Sequence, residues 1–405
     1  MTILQKLALF GPLAFLVHSL HADDWPQWRG PKHNGISTEK AWKADWAGKA
    51  PQTLWKANVG IGFPSFSIAN GRVFTTGNAE NTDTIFCFDA ATGKVIWKHA
   101  YPADLGDKYY EGGTSATPVV DGAQVFHLSK WGEVFCIEAA TGKVLWSKNM
   151  QKETGANIPD WGFAGSPLVH GEMLLLNIGS AGLALDKTSG KILWKSEAEN
   201  AGYSTPVLMK RGTDDLVLLG SGKSIVAVNA QSGKKAWEFG WATRYGVNAA
   251  DPIINGDLIF ISSGYNKGCA VLKVDSATPD VVWQSKELKN QLGSSVLLDG
   301  HLYGFDGDNT NSRAPLKCLE FASGSKKWEE NTISPGALMM ADGKLIVLTG
   351  KGELIIAKAS PQKFDVISRA QVLSGKCWSA PVLANGRIYV RNSTGDVVCL
   401  DVSGK

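Results

Sequence analysis

Apolar and polar residues alternate with a period of two along most of the chain, and Gly or Pro interrupts the pattern about every ten residues. The clearest stretch runs from Ser115 to Lys148, with turn signals at Asp121-Gly122 and Ala140–Lys143. It predicts four short strands: Thr117–Val120, Gln124–Ser129, Glu133–Glu138 and Val144–Trp146. Each such unit is therefore predicted to form a small antiparallel sheet.

A tryptophan recurs in the predicted fourth strand of successive units, at intervals of 42 to 49 residues. Four strands in about 45 residues is the period of a β-propeller blade. An indole at one fixed point of each sheet is expected to be buried between neighbouring blades. The recurring residues are Trp55, Trp97, Trp146, Trp194, Trp237, Trp283 and Trp328.

The repeats predict an all-β, eight-bladed β-propeller of four-stranded antiparallel blades. The last repeat ends without a fourth strand, whereas Leu54-Trp55-Lys56 near the N-terminus has a fourth-strand pattern with no strands before it. We therefore expect the N-terminal strand to complete blade eight and close the ring. The eight first strands are predicted to begin near Phe66, Thr117, Ser166, Thr205, Asp251, Ser295, Ala337 and Ala380.

The first 22 residues have the composition of a signal peptide, with Lys6 followed by an apolar run from Leu7 to Val17. We expect residues 1–22 to be removed and residues 23–405 to form a single propeller domain, periplasmic or secreted. No Cys lies directly after the apolar run, so a lipid anchor is not expected. No later apolar stretch is long enough to span a bilayer, so a transmembrane anchor is not expected either. The mature chain is expected to be a monomer.

The charged residues are nearly balanced, with 41 Lys and Arg against 38 Asp and Glu. Binding of nucleic acid needs a clustered basic face, which this composition does not provide. A nucleic-acid partner is therefore not expected.

Two motifs carry a resemblance to a known family. The pattern Asp-x-x-Thr-Gly-Lys-x-x-Trp at Asp89–Trp97 resembles the tryptophan-docking repeat of quinoprotein alcohol dehydrogenases and their non-enzymatic relatives. The opening Trp25-Pro26-Gln27-Trp28-Arg29-Gly30-Pro31, followed by Asn34-Gly35, is similar to the start of secreted bacterial PQQ-binding-like β-propeller repeat proteins. The family includes dehydrogenases and the propeller lipoprotein of outer-membrane protein assembly.

The dehydrogenase resemblance implies pyrroloquinoline quinone (PQQ) on the propeller axis, a Ca²⁺ held by acidic and amide oxygens, and an Asp base. Many such enzymes also have two adjacent cysteines beside the quinone, and this chain has no adjacent Cys pair and no Cys-x-x-Cys-His haem motif. A binding or assembly scaffold in the cell envelope is therefore the leading hypothesis. A PQQ- and calcium-dependent alcohol or polyol dehydrogenase and a carbohydrate- or polymer-binding propeller remain as alternatives.

Four of the six cysteines occupy one equivalent repeat position, two residues before the acidic residue that ends a third strand. Equivalent positions in separate blades are too far apart for a disulfide, whose Cα atoms lie within about 7 Å. Cys87, Cys136, Cys318 and Cys399 are therefore expected to be buried thiols. The state of Cys269 and Cys377 is left open by the repeat.

The two faces of the predicted propeller differ. Turns between first and second strands are tight Asn-Gly or Asp-Gly pairs, whereas the opposite face has long loops, where binding sites on rigid scaffolds usually lie. These loops are Asp107–Gly113, Asn157–Gly162, Trp241–Asn248, Gly264–Gly268 and Asp306–Pro315, the last with Asn309, Asn311 and Arg313.

We expect a protein, small-molecule or polymer ligand to bind at the axial mouth of that face. Arg244 is the predicted partner of an anionic group, because its planar guanidinium can hold a carboxylate through two hydrogen bonds. The alternative is that these residues only seal the rim, with Arg244 paired to Glu111 or Asp251. The predicted lining is Tyr110, Glu111, Trp161, Tyr203, Arg244, Asn248, Asp251 and Trp378.

Overall fold

The computed structural model describes residues 24–307 and 314–404. The predicted signal peptide and the loop residues Asn309, Asn311 and Arg313 lie outside the described residues. The described chain forms eight sheets, seven of four antiparallel strands and one of four antiparallel strands with a short fifth, parallel strand, which confirms the predicted eight-bladed propeller. No helix among the described residues has the length and apolarity needed to cross a bilayer.

The strands follow one another in chain order, with the first two before blade one. These are β1 (Ile36–Ser37) and β2 (Gln52–Asn58). Blades one and two comprise β3 (Ser67–Ala69), β4 (Arg72–Ala79), β5 (Thr82–Asp89), β6 (Val95–Pro102), β7 (Val119–Asp121), β8 (Gln124–Leu128), β9 (Glu133–Glu138) and β10 (Val144–Asn149). A short helix, α1 (Met150–Thr154), follows β10. Blades three and four comprise β11 (Leu168–His170), β12 (Met173–Leu176), β13 (Leu183–Asp186), β14 (Ile192–Lys195), β15 (Val207–Arg211), β16 (Asp214–Gly220), β17 (Ser224–Asn229) and β18 (Lys235–Gly240).

The second half of the ring repeats this order. Blades five and six comprise β19 (Ile253–Asn255), β20 (Leu258–Ser263), β21 (Gly268–Lys273), β22 (Asp280–Ser285), β23 (Val296–Leu298), β24 (His301–Phe305), β25 (Leu316–Glu320) and β26 (Lys326–Glu330). Blade seven comprises β27 (Gly336–Ala341), β28 (Lys344–Thr349), β29 (Glu353–Lys358) and β30 (Asp365–Gln371), and blade eight contributes β31 (Val382–Ala384), β32 (Arg387–Arg391) and β33 (Asp396–Asp401).

The N-terminal strand closes the ring, as the sequence predicts. Strand β2 pairs antiparallel with β33 and completes the sheet of blade eight, with Trp55 opposite Cys399. This pairing covers the edge of β33 that would otherwise lack a partner strand, so blade eight has four strands at the junction of the two chain ends.

Tryptophans of the fourth strands dock onto the next blade through a repeated contact. The Trp97 indole N–H donates to the Ala139 carbonyl at 2.9 Å, and its ring lies over Gly142, where an added Cβ would meet the indole at 2.8 Å. Trp55, Trp146, Trp194 and Trp283 make the same pair of contacts with the following blade. The buried indole nitrogen of Trp237 lacks a hydrogen-bond partner among the described residues, because the next turn (276–279, Ser-Ala-Thr-Pro) departs from the repeat.

Four of the cysteines occupy equivalent positions in the strand pairing of their blades, as the repeat predicts. Cys87, Cys136, Cys318 and Cys399 each lie opposite the blade's tryptophan, immediately before the same β-bulge in all four ladders. All six cysteines are buried free thiols. Burial raises the pKa of Cys87 and Cys136 to about 12, so these thiols remain protonated and behave as small apolar groups.

The segment before β2 runs through the centre of the ring. Trp25 exchanges two backbone hydrogen bonds of 2.8 Å with Ile68 of blade one, and the Pro26 carbonyl accepts from Val120 of blade two. Strand β1 then pairs in parallel with β27 of blade seven. Because first strands of neighbouring blades contact one another around the axis, these bonds place residues 25–37 in the axial channel. The sequence interpretation did not anticipate this placement.

Candidate functional site

A cavity of about 310 Å³ opens at the axis, on the face that carries the long loops. Blades one to six and blade eight supply its walls, mostly with residues that immediately precede their first strands. Its lining comprises Trp28, Phe63, Tyr109, Tyr110, Ser115, Thr117, Trp161, Ala164, Ser166, Tyr203, Thr205, Val247, Ala249, Asp251, Tyr265, Gln291, Leu292, Trp378 and Ser379.

Two groups of aromatic rings form its walls. In the first group, Phe63 lies between Trp378 and Tyr110, with ring centroids 5.4 and 5.7 Å away. In the second, Trp161 contacts Tyr203 edge-on at 6.0 Å. Such ring pairs hold each other in place, so the walls are already formed before a ligand arrives.

Tyr109 belongs to the second group and stands in an unusual conformation. Its φ is +70°, which a bulky side chain rarely adopts, and the residue is 80% exposed. Its ring centroid lies 6.3 Å from that of Trp161. Strained backbone tends to persist at binding sites, and this strain holds a large apolar ring in solvent at the cavity mouth.

The cavity floor is a buried carboxylate held by the N-terminal segment. The Trp28 indole N–H donates to Asp251 Oδ2 at 2.6 Å, and the Thr205 backbone N–H donates to Oδ1 at 2.8 Å. Arg29 Nε lies 3.9 Å from the same carboxylate, and Arg29 also donates to the Ser295 carbonyl at 2.7 Å. Burial raises the pKa of Asp251, and Arg29 and the hydrogen-bond donors oppose that rise.

Charged groups at the rim are also satisfied by protein partners. Lys130 donates to the Leu105 and Gly106 carbonyls and lies 4.7 Å from the Tyr110 ring centroid, and burial lowers its pKa to about 8. Lys376 lies over the Trp378 ring and forms a 2.5 Å ion pair with Glu111. Burial raises the pKa of Tyr110 to about 12, so its phenol is neutral near pH 7.

Five of the eight predicted residues line the cavity: Tyr110, Trp161, Tyr203, Asp251 and Trp378. Glu111 lies at the rim. Asn248 is buried and structural, because its amide donates to the Ser221 and Trp241 carbonyls and its Oδ1 accepts from Ser263.

Arg244 does not line the cavity. It is exposed and lies 5.2 Å from the Tyr245 ring. The alternative pairing of Arg244 with Glu111 or Asp251 is also wrong, because Lys376 and Arg29 lie against those two carboxylates instead.

Sequence reasoning missed several lining residues whose signals were present. Phe63 and Gln291 precede a first strand, as the predicted lining residues Tyr203 and Trp378 do. Tyr109 and Tyr265 lie within loops that the sequence singled out. Trp28 belongs to the opening motif, but no local pattern shows that this motif reaches the axis.

The chain matches the family model described as outer membrane protein assembly factor BamB over residues 37–115 and 103–330. It belongs to this family. No curated protein sequence matches at a significant level.

Solved structures with the same fold include a BamB protein and two dehydrogenases. BamB from Moraxella catarrhalis superposes with a TM-score of 0.66 at 15% identity, covering 87% of this chain and 99% of that chain. Quinohemoprotein alcohol dehydrogenase from Comamonas testosteroni gives 0.72 at 15% identity, covering 94% and 81%. A europium-containing methanol dehydrogenase gives 0.70 at 11% identity, covering 91% and 89%. At these identities the likeness establishes the fold alone.

The described cavity lining of this BamB-family chain supplies one carboxylate, Asp251, and one side-chain amide, Gln291, toward the roughly 6–8 oxygens that Ca²⁺ takes. Residues 24–307 and 314–404 contain no group of three His, Cys, Asp or Glu side chains that could hold a metal. Asp251, the carboxylate of the cavity, faces the guanidinium of Arg29, whose positive charge disfavours a dication at the same oxygen.

Proposed function

We propose that this chain is a non-catalytic binding scaffold of the cell envelope, with its ligand held in the axial cavity. The observation that carries the proposal is the state of Asp251. Its carboxylate accepts from Trp28 and Thr205 and faces Arg29, so each oxygen already has a protein partner that favours the ionised form and fixes the group in place. Among the described lining residues it is the only carboxylate.

The family supports the same function. The family model is described as an assembly factor for outer membrane proteins, which is a binding role in the envelope. The predicted signal peptide over residues 1–22 is consistent with that location.

A PQQ-dependent dehydrogenase is the competing function, since proteins with this fold include quinohemoprotein alcohol dehydrogenase. Titrating the purified chain with PQQ, with and without CaCl₂, separates the two functions by calorimetry and absorbance. We expect no saturable, calcium-dependent binding and no bleaching of bound quinone by ethanol or glycerol.

The Trp161→Ala variant locates any quinone that does bind, because its ring lines the cavity, and Leu193→Ala, exposed on the outer strand β14 of the same blade, is the control outside the lining. Calcium-dependent binding that Trp161→Ala abolishes and Leu193→Ala preserves, with turnover of an alcohol, would overturn the scaffold proposal.

A further inference from the structure

A row of buried hydroxyls lies at the base of the cavity wall. The Ser65 backbone N–H donates to the Thr117 hydroxyl, that of Thr117 donates to the Ser166 hydroxyl, and that of Ser166 donates to the Thr205 hydroxyl, at 3.0 to 3.1 Å. Each bond joins one blade to the next. In these bonds the hydroxyls of Thr117, Ser166 and Thr205 act as acceptors. Each hydroxyl therefore keeps an O–H proton to donate, and all three residues line the cavity.

Gln291 supplies an acceptor without a protein partner. The residue is only 8% exposed and lines the cavity, and its Oε1 has no hydrogen-bond partner among the described residues. A buried carbonyl oxygen left unpaired costs about 1–3 kcal/mol, so such atoms usually have a ligand or water to accept from. The cavity thus offers both hydrogen-bond donors and an acceptor.

The described lining of the cavity has no free charge to offer an ionic ligand. Asp251 faces Arg29, Lys376 is paired with Glu111, and Lys130 donates to two backbone carbonyls. A polycarboxylate such as a quinone acid would need cationic partners, which the described lining does not supply.

The size and shape of the cavity further limit the class of ligand that can bind. About 310 Å³ lies at the low end of the roughly 300–1,000 Å³ of small-molecule sites, too small for a folded partner to enter. The walls on both sides are aromatic: Trp378, Phe63 and Tyr110 on one, Trp161 and Tyr203 on the other.

We propose that the axial cavity binds one or two pyranose rings of a neutral saccharide. A pyranose has apolar C–H faces that pack on aromatic rings, and hydroxyls that both donate and accept. The Gln291 carbonyl accepts from a sugar hydroxyl, and the hydroxyls of Thr117, Ser166 and Thr205 donate to sugar oxygens. This inference rests on the proposed function and names the chemical class of its ligand.

Calorimetry and tryptophan fluorescence with three neutral trisaccharides test the proposal: maltotriose, cellotriose and triacetylchitotriose. Trigalacturonic acid is the charged control. We expect at least one neutral trisaccharide to bind with a Kd below about 1 mM and to change the fluorescence, and trigalacturonic acid to bind at least about tenfold more weakly.

Two variants place the ligand. Gln291→Leu removes the unpaired acceptor and keeps the side-chain volume, and Trp161→Ala removes a wall; each is expected to weaken binding roughly tenfold or more. Leu193→Ala, on the exposed outer strand of blade three and outside the lining, is expected to change the affinity less than about twofold. Thermal melts check that each variant is folded.

The outcomes separate this inference from the proposed function. Absence of binding by all three neutral trisaccharides, or binding that both Gln291→Leu and Trp161→Ala leave unchanged, overturns the saccharide site. Calcium-dependent PQQ binding in the cavity, with alcohol turnover, overturns the scaffold function as well. Binding of the tripeptide Ala-Ala-Ala in the cavity, with no trisaccharide bound, overturns the saccharide inference and leaves a non-catalytic scaffold.

Discussion

At the scale of single residues, Asp251 replaces a hydroxyl in the row that links neighbouring blades. Thr117, Ser166 and Thr205 accept a backbone N–H with a neutral oxygen, whereas Asp251 accepts the next one with a carboxylate. The carboxylate is needed there because the N-terminal segment brings the buried Arg29 to within 3.9 Å. Each charge therefore depends on the other for its burial.

Asp251→Ser tests this dependence. Serine preserves the hydroxyl row but leaves Arg29 buried without its counter-charge, so we expect the free energy of unfolding to fall by about 3–5 kcal/mol in urea titrations. The control Asp121→Ser breaks the more exposed Lys187–Asp121 pair and is expected to cost no more than about 1 kcal/mol. Equal stability of Asp251→Ser and the unmodified chain would contradict the account.

A second buried polar group lies between blades one and two. Tyr101 Oη lies 3.1 Å from His127 Nε2 and donates to Asp83 Oδ2 at 3.3 Å, while the Asn78 amide donates to Asp83 Oδ1 at 2.7 Å. His127 is 1% exposed, and burial lowers its pKa to about 3. The folded chain therefore keeps this imidazole neutral where the unfolded chain protonates it, below about pH 6.5.

His127 consequently contributes stability that is fully present above about pH 6.5 and is lost as the pH falls toward 3. We expect unfolding curves of the unmodified chain between pH 6.5 and 4 to lose about 1.4 kcal/mol per pH unit more than those of His127→Gln. Asp83, whose pKa burial raises to about 6, acts in the opposite direction in both proteins. Parallel pH profiles of the two proteins would show that His127 is not the group responsible.

At the scale of elements, the repeat predicted the two central strands of a blade better than its first and fourth strands. Strand β9 has the predicted bounds, Glu133–Glu138, whereas β7 begins at Val119 and not at Thr117. The difference recurs because the hydroxyls of residues such as Thr117 and Thr205 accept from the preceding blade, while their backbone N–H groups donate to the next blade. The alternation of apolar residues indicates where a strand runs, but it does not indicate these hydrogen bonds between neighbouring blades.

Gly142→Ala measures the docking contact between a blade and the preceding tryptophan. An added Cβ would lie 2.8 Å from the Trp97 indole, and φ at this position is +79°. The control Gly122→Ala in the same blade has φ +56° and an open space around its Cβ, so it carries the backbone strain alone. We expect Gly142→Ala to lower the melting temperature further, by an amount equivalent to about 1–3 kcal/mol of overpacking. Equal losses in the two variants would mean that the indole shifts freely.

At the scale of the whole molecule, the sequence predicted the ring and its closure because each blade repeats its own local pattern. The cavity was predicted in part: Trp161, Tyr203 and Trp378 precede or flank first strands, and that rule located them. Trp28 and Arg29 were missed because their partners, Asp251 and Ser295, lie more than 200 residues away and no repeat connects them. Arg244 was misplaced because a loop position does not show where its side chain points.

Two shortened chains separate closure of the ring from filling of its channel. A chain that begins at residue 59 lacks β2, so β33 loses its antiparallel partner and presents an unpaired edge. We expect this chain to aggregate, as measured by size-exclusion chromatography with light scattering.

A chain that begins at residue 41 and carries Asp251→Ser keeps β2 but lacks Trp28, Arg29 and β1. Serine at position 251 removes the carboxylate that Arg29 would otherwise balance. It is expected to remain monomeric with a lower melting temperature, since its blades stay paired around an open axis. Monomeric behaviour of both chains would show that the interfaces between blades, and not the pairing of β2 with β33, keep the ring closed.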